Sequence, residues 1–213
     1  MRMAAWAGLA AQVLFVAAWL VAAAWQGPRY SVLAHSISDM YAVTAPNGLF
    51  LVVVLTLCGV ATILFAALAL WPALRAAGWS AAVGCILLAL SVYGLGDALT
   101  PFERLACRLA DEGCTAADQI ANTGGTLDAL LTTIGILIFL AATFFLAAAM
   151  RRVAAWQRWA WPARGVGFAF LALIAVLAIA GADLGGLFER LLAATGAAAI
   201  AAAAVHILTV SRQ

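Results

Sequence analysis

The sequence predicts an all-α fold, a polytopic membrane bundle of six transmembrane helices with both termini in the cytoplasm. Of the 213 residues, 67% are hydrophobic and only 9% are charged, and the mean hydropathy is +1.10. A soluble globular domain carries about 25% charged residues. This composition therefore excludes a soluble enzyme, a disordered chain, a coiled coil and a nucleic-acid-binding protein. The positions of the apolar stretches and of the charges complete the prediction.

Six apolar stretches are long enough to cross a bilayer, whose core of about 30 Å needs roughly 20 helical residues. The predicted spans are residues 4–26, 48–71, 80–99, 127–150, 165–182 and 191–210. The first stretch has features of a signal peptide, with Arg2 as a basic start and small residues at 22–24, but it is long enough to span. Since the spans leave little chain for a soluble domain, residues 1–213 are predicted to form a single integral membrane domain.

The charged residues separate by side once the six spans are placed. The side of the termini holds seven arginines and no acid, a net +7, whereas the other side holds four arginines and all nine acids, a net −5. Because basic residues favour cytoplasmic loops, the termini are predicted to lie in the cytoplasm. We call the opposite side of the membrane the outer side. The complete separation of the acids indicates that the number of spans is self-consistent.

A segment rich in arginine and tryptophan follows the fourth span on the predicted cytoplasmic side. This inner-leaflet patch consists of Arg151, Arg152, Trp156, Arg158, Trp159, Trp161 and Arg164. Tryptophan rings favour the membrane interface, and a basic residue near an anionic leaflet contributes about 1 kcal/mol of attraction. The patch is predicted to anchor the chain at the inner leaflet, and a specific site for a lipid headgroup is the alternative.

The four cysteines divide into two pairs. Cys58 and Cys85 fall inside spans and are interpreted as small apolar packing residues. Cys107 and Cys114 fall in the outer loop 100–125, where the compartment is oxidising, so they are predicted to form a disulfide. Zinc is a poor alternative for this pair because no histidine lies nearby.

The loop after the first span contains the first candidate for chemistry. Gly27 and Pro28 break the helix, and the apolar residues that follow recur at helical spacing, which predicts a short interfacial helix. Ser31, His35 and Asp39 are spaced by four and share the other face of that helix. Such a line suits nucleophilic catalysis. In the structural interpretation, Ser31 caps the helix and His35 pairs with Asp39 to fix the loop.

A Gly-x-Gly-Asp motif at residues 94–97 lies at the outer end of the third span. It resembles the motif of intramembrane aspartyl proteases, in which two membrane-embedded aspartates share a proton. Asp128, at the outer end of the fourth span, is the possible partner of Asp97. Against this, Asp97 lies about 25 Å along the helix from Ser80, which predicts an interfacial position. Asp128 also suits the first turn of a helix, where an acid interacts favourably with the helix dipole.

The loop 100–125 is the longest external segment and is long enough to cover the bundle as a lid. Thr115 and Asp118 have capping-box spacing, which predicts that a short helix begins there. His206, near the cytoplasmic end of the sixth span, is predicted to be a packing or interfacial residue. Since the two histidines lie on opposite sides, the sequence predicts no metal site and no cofactor.

The first loop also carries a resemblance to a known family. The resemblance rests on Tyr30-Ser31-x-x-x-His35-x-Ile37-Ser38-Asp39 and on Pro46-Asn47-Gly48 at the start of the second span. These residues resemble the bacterial multi-pass membrane family of domain of unknown function 998, and Ile37-Ser38-Asp39 is distantly similar to the eukaryotic Frag1/DRAM/Sfk1 membrane proteins, which are linked to lipid and autophagy processes. The resemblance implies a six-span protein of a bacterial cytoplasmic membrane and assigns no reaction. Many bacterial members have histidines near the start of the fourth span, whereas residues 118–122 have none here.

These observations favour a non-catalytic membrane protein that binds a lipid, a small amphiphile, a partner membrane protein or a second copy of itself. His35, Asp39, Asp97 and Asp128 form the candidate polar cluster on its outer face. An intramembrane hydrolase is the first alternative, using Asp97 with Asp128 or His35 with Asp39. A small-solute transporter is the second, although no predicted span carries an ionisable residue near its midplane.

Overall fold

A computed structural model describes residues 1–180 and 182–210, and it contains six long helices. They are α1 (Arg2–Ala23), α2 (Gly48–Ala77), α3 (Trp79–Phe102), α4 (Thr123–Met150), α5 (Ala154–Ile179) and α6 (Gly185–Val210). Each is long and apolar enough to cross a membrane, which confirms the predicted all-α bundle of six spans. Residue 181 of the predicted fifth span, and Arg212, lie outside the described residues.

The six helices form a closed ring in chain order. Each helix packs against the next one in the chain, and α6 packs back against α1. The buried apolar side chains of the described residues form one contiguous core inside this ring. Helix α5 is the least enclosed of the six. Any cavity at the centre of the ring is therefore lined by several helices at once.

The ring is tight because small residues let backbones approach. A methyl group added to Gly59 of α2 would lie only 2.8 Å from the carbonyl carbon of Asp97 in α3. Gly196 of α6 faces the ring of Tyr93, whose hydroxyl donates a hydrogen bond of 2.8 Å to the Leu192 carbonyl oxygen. These contacts fix the outer half of α3 against α2 and α6.

Helix α3 is interrupted just before the Gly-x-Gly-Asp motif. Ser91 leaves the helical conformation with ψ of 176°, and a π-helical turn follows at Val92–Gly96. A methyl group on Gly94 would lie 2.8 Å from the carbonyl carbon of Ala89, so glycine is needed there. Turns of this kind often occur at functional sites. The glycines of the motif thus shape the backbone that presents Asp97.

Helices α4 and α6 begin before their predicted starts. Helix α4 starts at Thr123 because the side chain of Asn122 caps it, accepting a hydrogen bond of 2.6 Å from the Gly125 amide. Helix α6 starts at Gly185, so Glu189 and Arg190 lie within the helix and not in the preceding loop. Both side chains form hydrogen bonds with backbone groups of the loop after α1, and these bonds offset the cost of placing charged groups in the helix.

The predicted short interfacial helix after the first span is wrong in its extent. Only a single turn, closed by the His35 amide on the Ser31 carbonyl at 2.8 Å, and a 3₁₀ turn at Ser38–Tyr41 form there. Side chains compete for the backbone in this loop. The Ser31 amide donates to His35 Nδ1 at 3.1 Å, and the Ser36 amide donates to Asp39 at 3.2 Å.

Candidate functional site

Two outer loops, residues 24–47 and 103–122, pack together over the ring, and we call them the outer lid. The side chain of Arg104 donates to the carbonyl oxygens of Tyr41 and Ala42, both at 2.9 Å. The structure joins Cys107 to Cys114 in a disulfide within the second loop. The outer lid therefore has covalent as well as hydrogen-bonded support.

A capped helix also lies in the second loop of the outer lid. A capping box joins Thr115 to Asp118, where each side chain accepts from the other residue's amide, at 3.3 and 2.9 Å. The short helix Ala116–Gln119 follows, which confirms the helix predicted there.

Asp39 holds the two loops of the outer lid together. Its side chain is fully buried, and Oδ1 accepts hydrogen bonds from the Leu109 amide at 2.9 Å and from Gln119 Nε2 at 2.8 Å. Burial raises the pKa of Asp39, although the hydrogen bonds from Leu109 and Ser36 oppose that rise. With its lone pairs occupied by the lid itself, Asp39 acts as a structural pin.

His35 does not form the predicted line with Ser31 and Asp39. Its Nδ1 atom accepts from the Ser31 amide, and its ring lies 5.4 Å from that of Tyr30. The Ser31 hydroxyl instead accepts from the Ala34 amide at 3.4 Å, which is the predicted capping role. No hydrogen bond joins His35 to Asp39, so their predicted pair is wrong and no Ser–His–Asp relay exists.

Asp128 of α4 is also buried, and the outer lid satisfies it. One of its oxygens, Oδ1, accepts from the Ser38 hydroxyl at 2.9 Å and from the Tyr41 hydroxyl at 2.8 Å. Burial and the negative charge of Asp128 raise the pKa of Tyr41 well above its usual value, so this phenol is a hydrogen-bond donor. Asp128 and Asp97 do not share a hydrogen bond.

Asp97 faces a cavity of about 70 Å³ inside the ring, which we call the acidic cavity. The lining comes from all six helices and the outer lid: Phe15, Ile37, Ser38, Tyr41, Leu55, Val92, Tyr93, Asp97, Thr132, Ile136, Phe170, Glu189, Leu192 and Ala193. The carboxyl group of Asp97 makes no hydrogen bond to any residue within 1–180 and 182–210. It is thus the group in the predicted cluster that is free to meet a ligand.

Asp97 lies beside the outer part of the neighbouring helix. Its backbone touches Gly59, which stands eleven residues, about 16 Å, from Gly48 at the outer end of α2. On its own helix, Asp97 lies five residues before Phe102, the last residue of α3. The interfacial position of Asp97 stays a prediction.

Sequence reasoning missed two charged residues of the site, Glu189 and Arg190. Both carboxylate oxygens of Glu189, which lines the acidic cavity, accept from the Ile37 amide, at 3.2 and 3.1 Å. Arg190 donates to the carbonyl oxygens of Val32 at 2.9 Å and His35 at 2.7 Å. The sequence does place this charged pair directly before an apolar stretch, which could have indicated its position in the helix. Because the sixth span was predicted to begin at residue 191, both residues were assigned to the preceding loop.

Glu103 is a further buried acid at the outer end of α3. It is 4% exposed, its Oε1 atom has no hydrogen-bond partner, and burial together with the negative charge of Asp128 raises its pKa to about 8. No three His, Cys, Asp or Glu residues in the described part of the chain are placed to hold a metal ion.

An aromatic layer separates the acidic cavity from a second cavity. Phe139 lies between Tyr93 and Phe170, with ring centroids 4.7 and 4.9 Å away. Beyond Phe139, toward the termini, is an apolar cavity of about 150 Å³ lined by residues that include Leu146 and Trp156. These three rings therefore lie between the two cavities.

The inner-leaflet patch lies where α4 ends and α5 begins. Trp156 is buried, whereas Trp161 and its four arginines are exposed or partly exposed. His206 lies against Trp156 and Trp159, with ring centroids 4.4 and 5.3 Å away, and its Nε2 atom lies 2.9 Å from the Ala155 carbonyl oxygen. These contacts agree with a packing role for His206.

Comparison with known proteins gives a family and no named relative. Neither the curated proteins nor the solved structures contain a match to the chain. The distant similarity to Frag1/DRAM/Sfk1 proteins stays a prediction. A family model described as "Protein of unknown function (DUF998)" matches residues 9–206. The chain therefore belongs to the DUF998 family of multi-pass, membrane-like proteins.

Proposed function

We propose that this integral membrane protein is a non-catalytic receptor for a small amphiphile, whose ammonium group it binds in the acidic cavity. The observation that carries the proposal is the carboxyl group of Asp97, which faces a central cavity without a hydrogen-bond partner. An unpaired carboxylate surrounded by apolar groups is costly, so a cation or a proton must accompany it. An ammonium group supplies both the charge and three hydrogen-bond donors.

The rest of the lining suits an organic cation. Glu189 offers a second carboxylate, and Phe15, Tyr93 and Phe170 offer aromatic faces. Cations bind such faces, and desolvation strengthens the attraction to about 2 kcal/mol. No arginine lines this cavity within the described part of the chain. The lining thus favours an organic cation that carries an alkyl group.

The volume limits what enters. A cavity of about 150 Å³ accommodates benzene, so the 70 Å³ of the acidic cavity accepts only a small group such as an ammonium with its first carbons. The remainder of the ligand has to extend out of this space. An amphiphile with a small cationic end fits that requirement better than a ligand with a bulky headgroup.

The hydrolase alternatives lack the geometry they need. An aspartyl dyad requires two carboxyl groups that share a proton, but Ser38 and Tyr41 engage Asp128 while Asp97 stands apart. A His35–Asp39 hydrogen bond is likewise absent, since Ser31 donates to His35 Nδ1 while Leu109 and Gln119 donate to Asp39. The arrangement therefore supports binding over catalysis.

The test is binding of hexylammonium to the full chain in nanodiscs, measured by calorimetry beside hexanol and hexanoate. We expect hexylammonium to bind and the other two to bind at least tenfold more weakly. Asp97→Asn should weaken hexylammonium binding at least tenfold, because a charge-assisted contact becomes a neutral one. The matched control is Glu112→Gln, an exposed acid outside the cavity, which should leave binding unchanged. Equal binding of hexanol, or full retention by Asp97→Asn, would refute the proposal.

Transport of a small cation is the second candidate. It is favoured by the interruption of α3 beside Asp97 and by the apolar cavity across the aromatic layer, because transporters often form substrate sites at broken helices. Uptake of labelled methylammonium into proteoliposomes separates the two candidates. A receptor binds this cation without accumulating it, whereas a transporter accumulates it in a manner that depends on Asp97.

A further inference from the structure

We propose a second ligand site, on the side of the termini, that binds a phosphate-bearing anion. A depression of about 250 Å³ lies between the end of α4 and the start of α5, and we call it the arginine notch. Its lining consists of Arg151, Gln157, Ala160, Trp161 and Arg164. The site is separate from the acidic cavity and does not depend on the proposed function.

The notch holds positive charge that the chain does not neutralise. Neither guanidinium group of Arg151 and Arg164 makes a side-chain hydrogen bond or an ion pair with a residue of the described ranges. No acid occurs between Asp128 and Asp183 in the sequence. Arg164 lies 5.2 Å from the centre of the Trp161 ring, which orients its guanidinium group. Two unpaired guanidinium groups at one depression, one of them oriented by Trp161, are suited to a phosphate, which arginine binds through paired N–H donors.

The surroundings favour a lipid as the source of that phosphate. Below Arg164 on the same side of α5, Phe168 and Leu171 are 59% and 45% exposed, and Trp161 is 73% exposed. Tryptophan favours the depth of the headgroups, and the phenylalanine and leucine then lie at the depth of the acyl chains. A lipid whose phosphate lies in the notch would thus place its acyl chains along the apolar strip of Phe168 and Leu171. Free phosphate has no apolar part that could contact this strip.

The experiment compares three probes by native mass spectrometry and calorimetry on the detergent-solubilised full chain: dioleoyl phosphatidylglycerol, dioleoylglycerol and inorganic phosphate. We expect phosphatidylglycerol to bind and dioleoylglycerol, which lacks the phosphate, not to bind. Arg151→Gln combined with Arg164→Gln should reduce phosphatidylglycerol affinity about thirtyfold, since each basic residue near a lipid surface contributes about fivefold. The matched control is Arg75→Gln, an exposed arginine on the same side but outside the notch.

Each outcome decides one point. Binding of phosphatidylglycerol that the double variant loses and Arg75→Gln keeps supports a lipid phosphate site. Binding of inorganic phosphate with the same dependence supports the phosphate site and assigns it to a soluble anion. Equal affinity of the wild type and the double variant, with unchanged thermal stability, would overturn the proposal. Equal losses in the double variant and in Arg75→Gln would also overturn it, since they indicate non-specific attraction.

Discussion

At the scale of single residues, the buried and partly buried acids of the outer half differ in what surrounds them. Asp39 and Asp128 receive hydrogen bonds from the outer lid, whereas Asp97 and Glu103 receive none from the described residues. A buried polar group without a partner costs about 1 to 3 kcal/mol, and a charged one costs more. The first two acids therefore stabilise the lid, and the other two are free for a cation or a proton.

Glu103 gives a prediction for pH dependence. Its pKa in the folded protein is about 8, above its ordinary value of 4.5, so the folded state binds a proton more tightly than the unfolded state. The free energy of unfolding should then fall as pH rises from about 4.5 to about 8, by at most about 1.4 kcal/mol per pH unit. Glu103→Gln should make this slope shallower and raise stability at pH 8, as measured by denaturation in detergent between pH 4.5 and 9.

The control for that experiment is Glu112→Gln, which changes an exposed acid of the same outer lid. It should keep the wild-type slope. If Glu103→Gln keeps the slope as well, or lowers stability at pH 8, then Glu103 is not the buried acid responsible for it.

Which residues share a site was only partly predictable from the sequence. Asp97 was predicted as part of the outer polar cluster, and it does face the acidic cavity. His35 was grouped with Asp39 by helical spacing, but a helix does not form there because side chains bond to the loop backbone. The role of Glu189 depends on Ile37, which is 152 residues away in the chain. No local pattern encodes such a contact.

At the scale of elements, the outer lid covers the acidic cavity on the outer side. Ser38 and Tyr41 of its first loop line the cavity, and Asp39 between them is held by Leu109 and Gln119 of the second loop. The disulfide joins Cys107 to Cys114, so Leu109 lies inside the segment that it closes. The conformation of the second loop therefore affects the position of Ser38 and Tyr41 in the cavity wall.

Removal of the disulfide should loosen this connection. Cys107→Ser with Cys114→Ser should lower the free energy of unfolding by about 2 kcal/mol, because an open loop gains entropy when the chain unfolds. Hydrogen exchange at the Leu109 amide should become faster, since that amide donates to Asp39. Reduction of the wild type should reproduce both effects. Unchanged exchange at Leu109 would show that the disulfide does not support the lid.

The helices themselves were predictable, and their ends were not. Apolar length alone identifies each of the six helices, because a bilayer demands it. The starts of α4 and α6 were predicted too late because polar residues, such as Asn122 and Arg190, were assigned to loops. In the structure a cap and the outer lid satisfy these polar groups. Tertiary partners therefore decide where each helix begins.

At the scale of the whole molecule, the distribution of charge agrees with two different ends of one ring. The outer half holds acids around a small cavity, and the side of the termini holds arginines around a notch. The aromatic layer of Tyr93, Phe139 and Phe170 lies between the acidic cavity and the inner half. The molecule thus offers a cation site and an anion site that are separated by the core of the bundle.

The central claim is that the acidic cavity binds the cationic end of an amphiphile through Asp97. The most direct measurement is mass spectrometry of small molecules that co-purify with the wild type and with Asp97→Asn from the same cells in a mild detergent. We expect an amine-bearing amphiphile at about one per chain in the wild type and its loss in Asp97→Asn. A neutral or anionic amphiphile present equally in both proteins would contradict this claim.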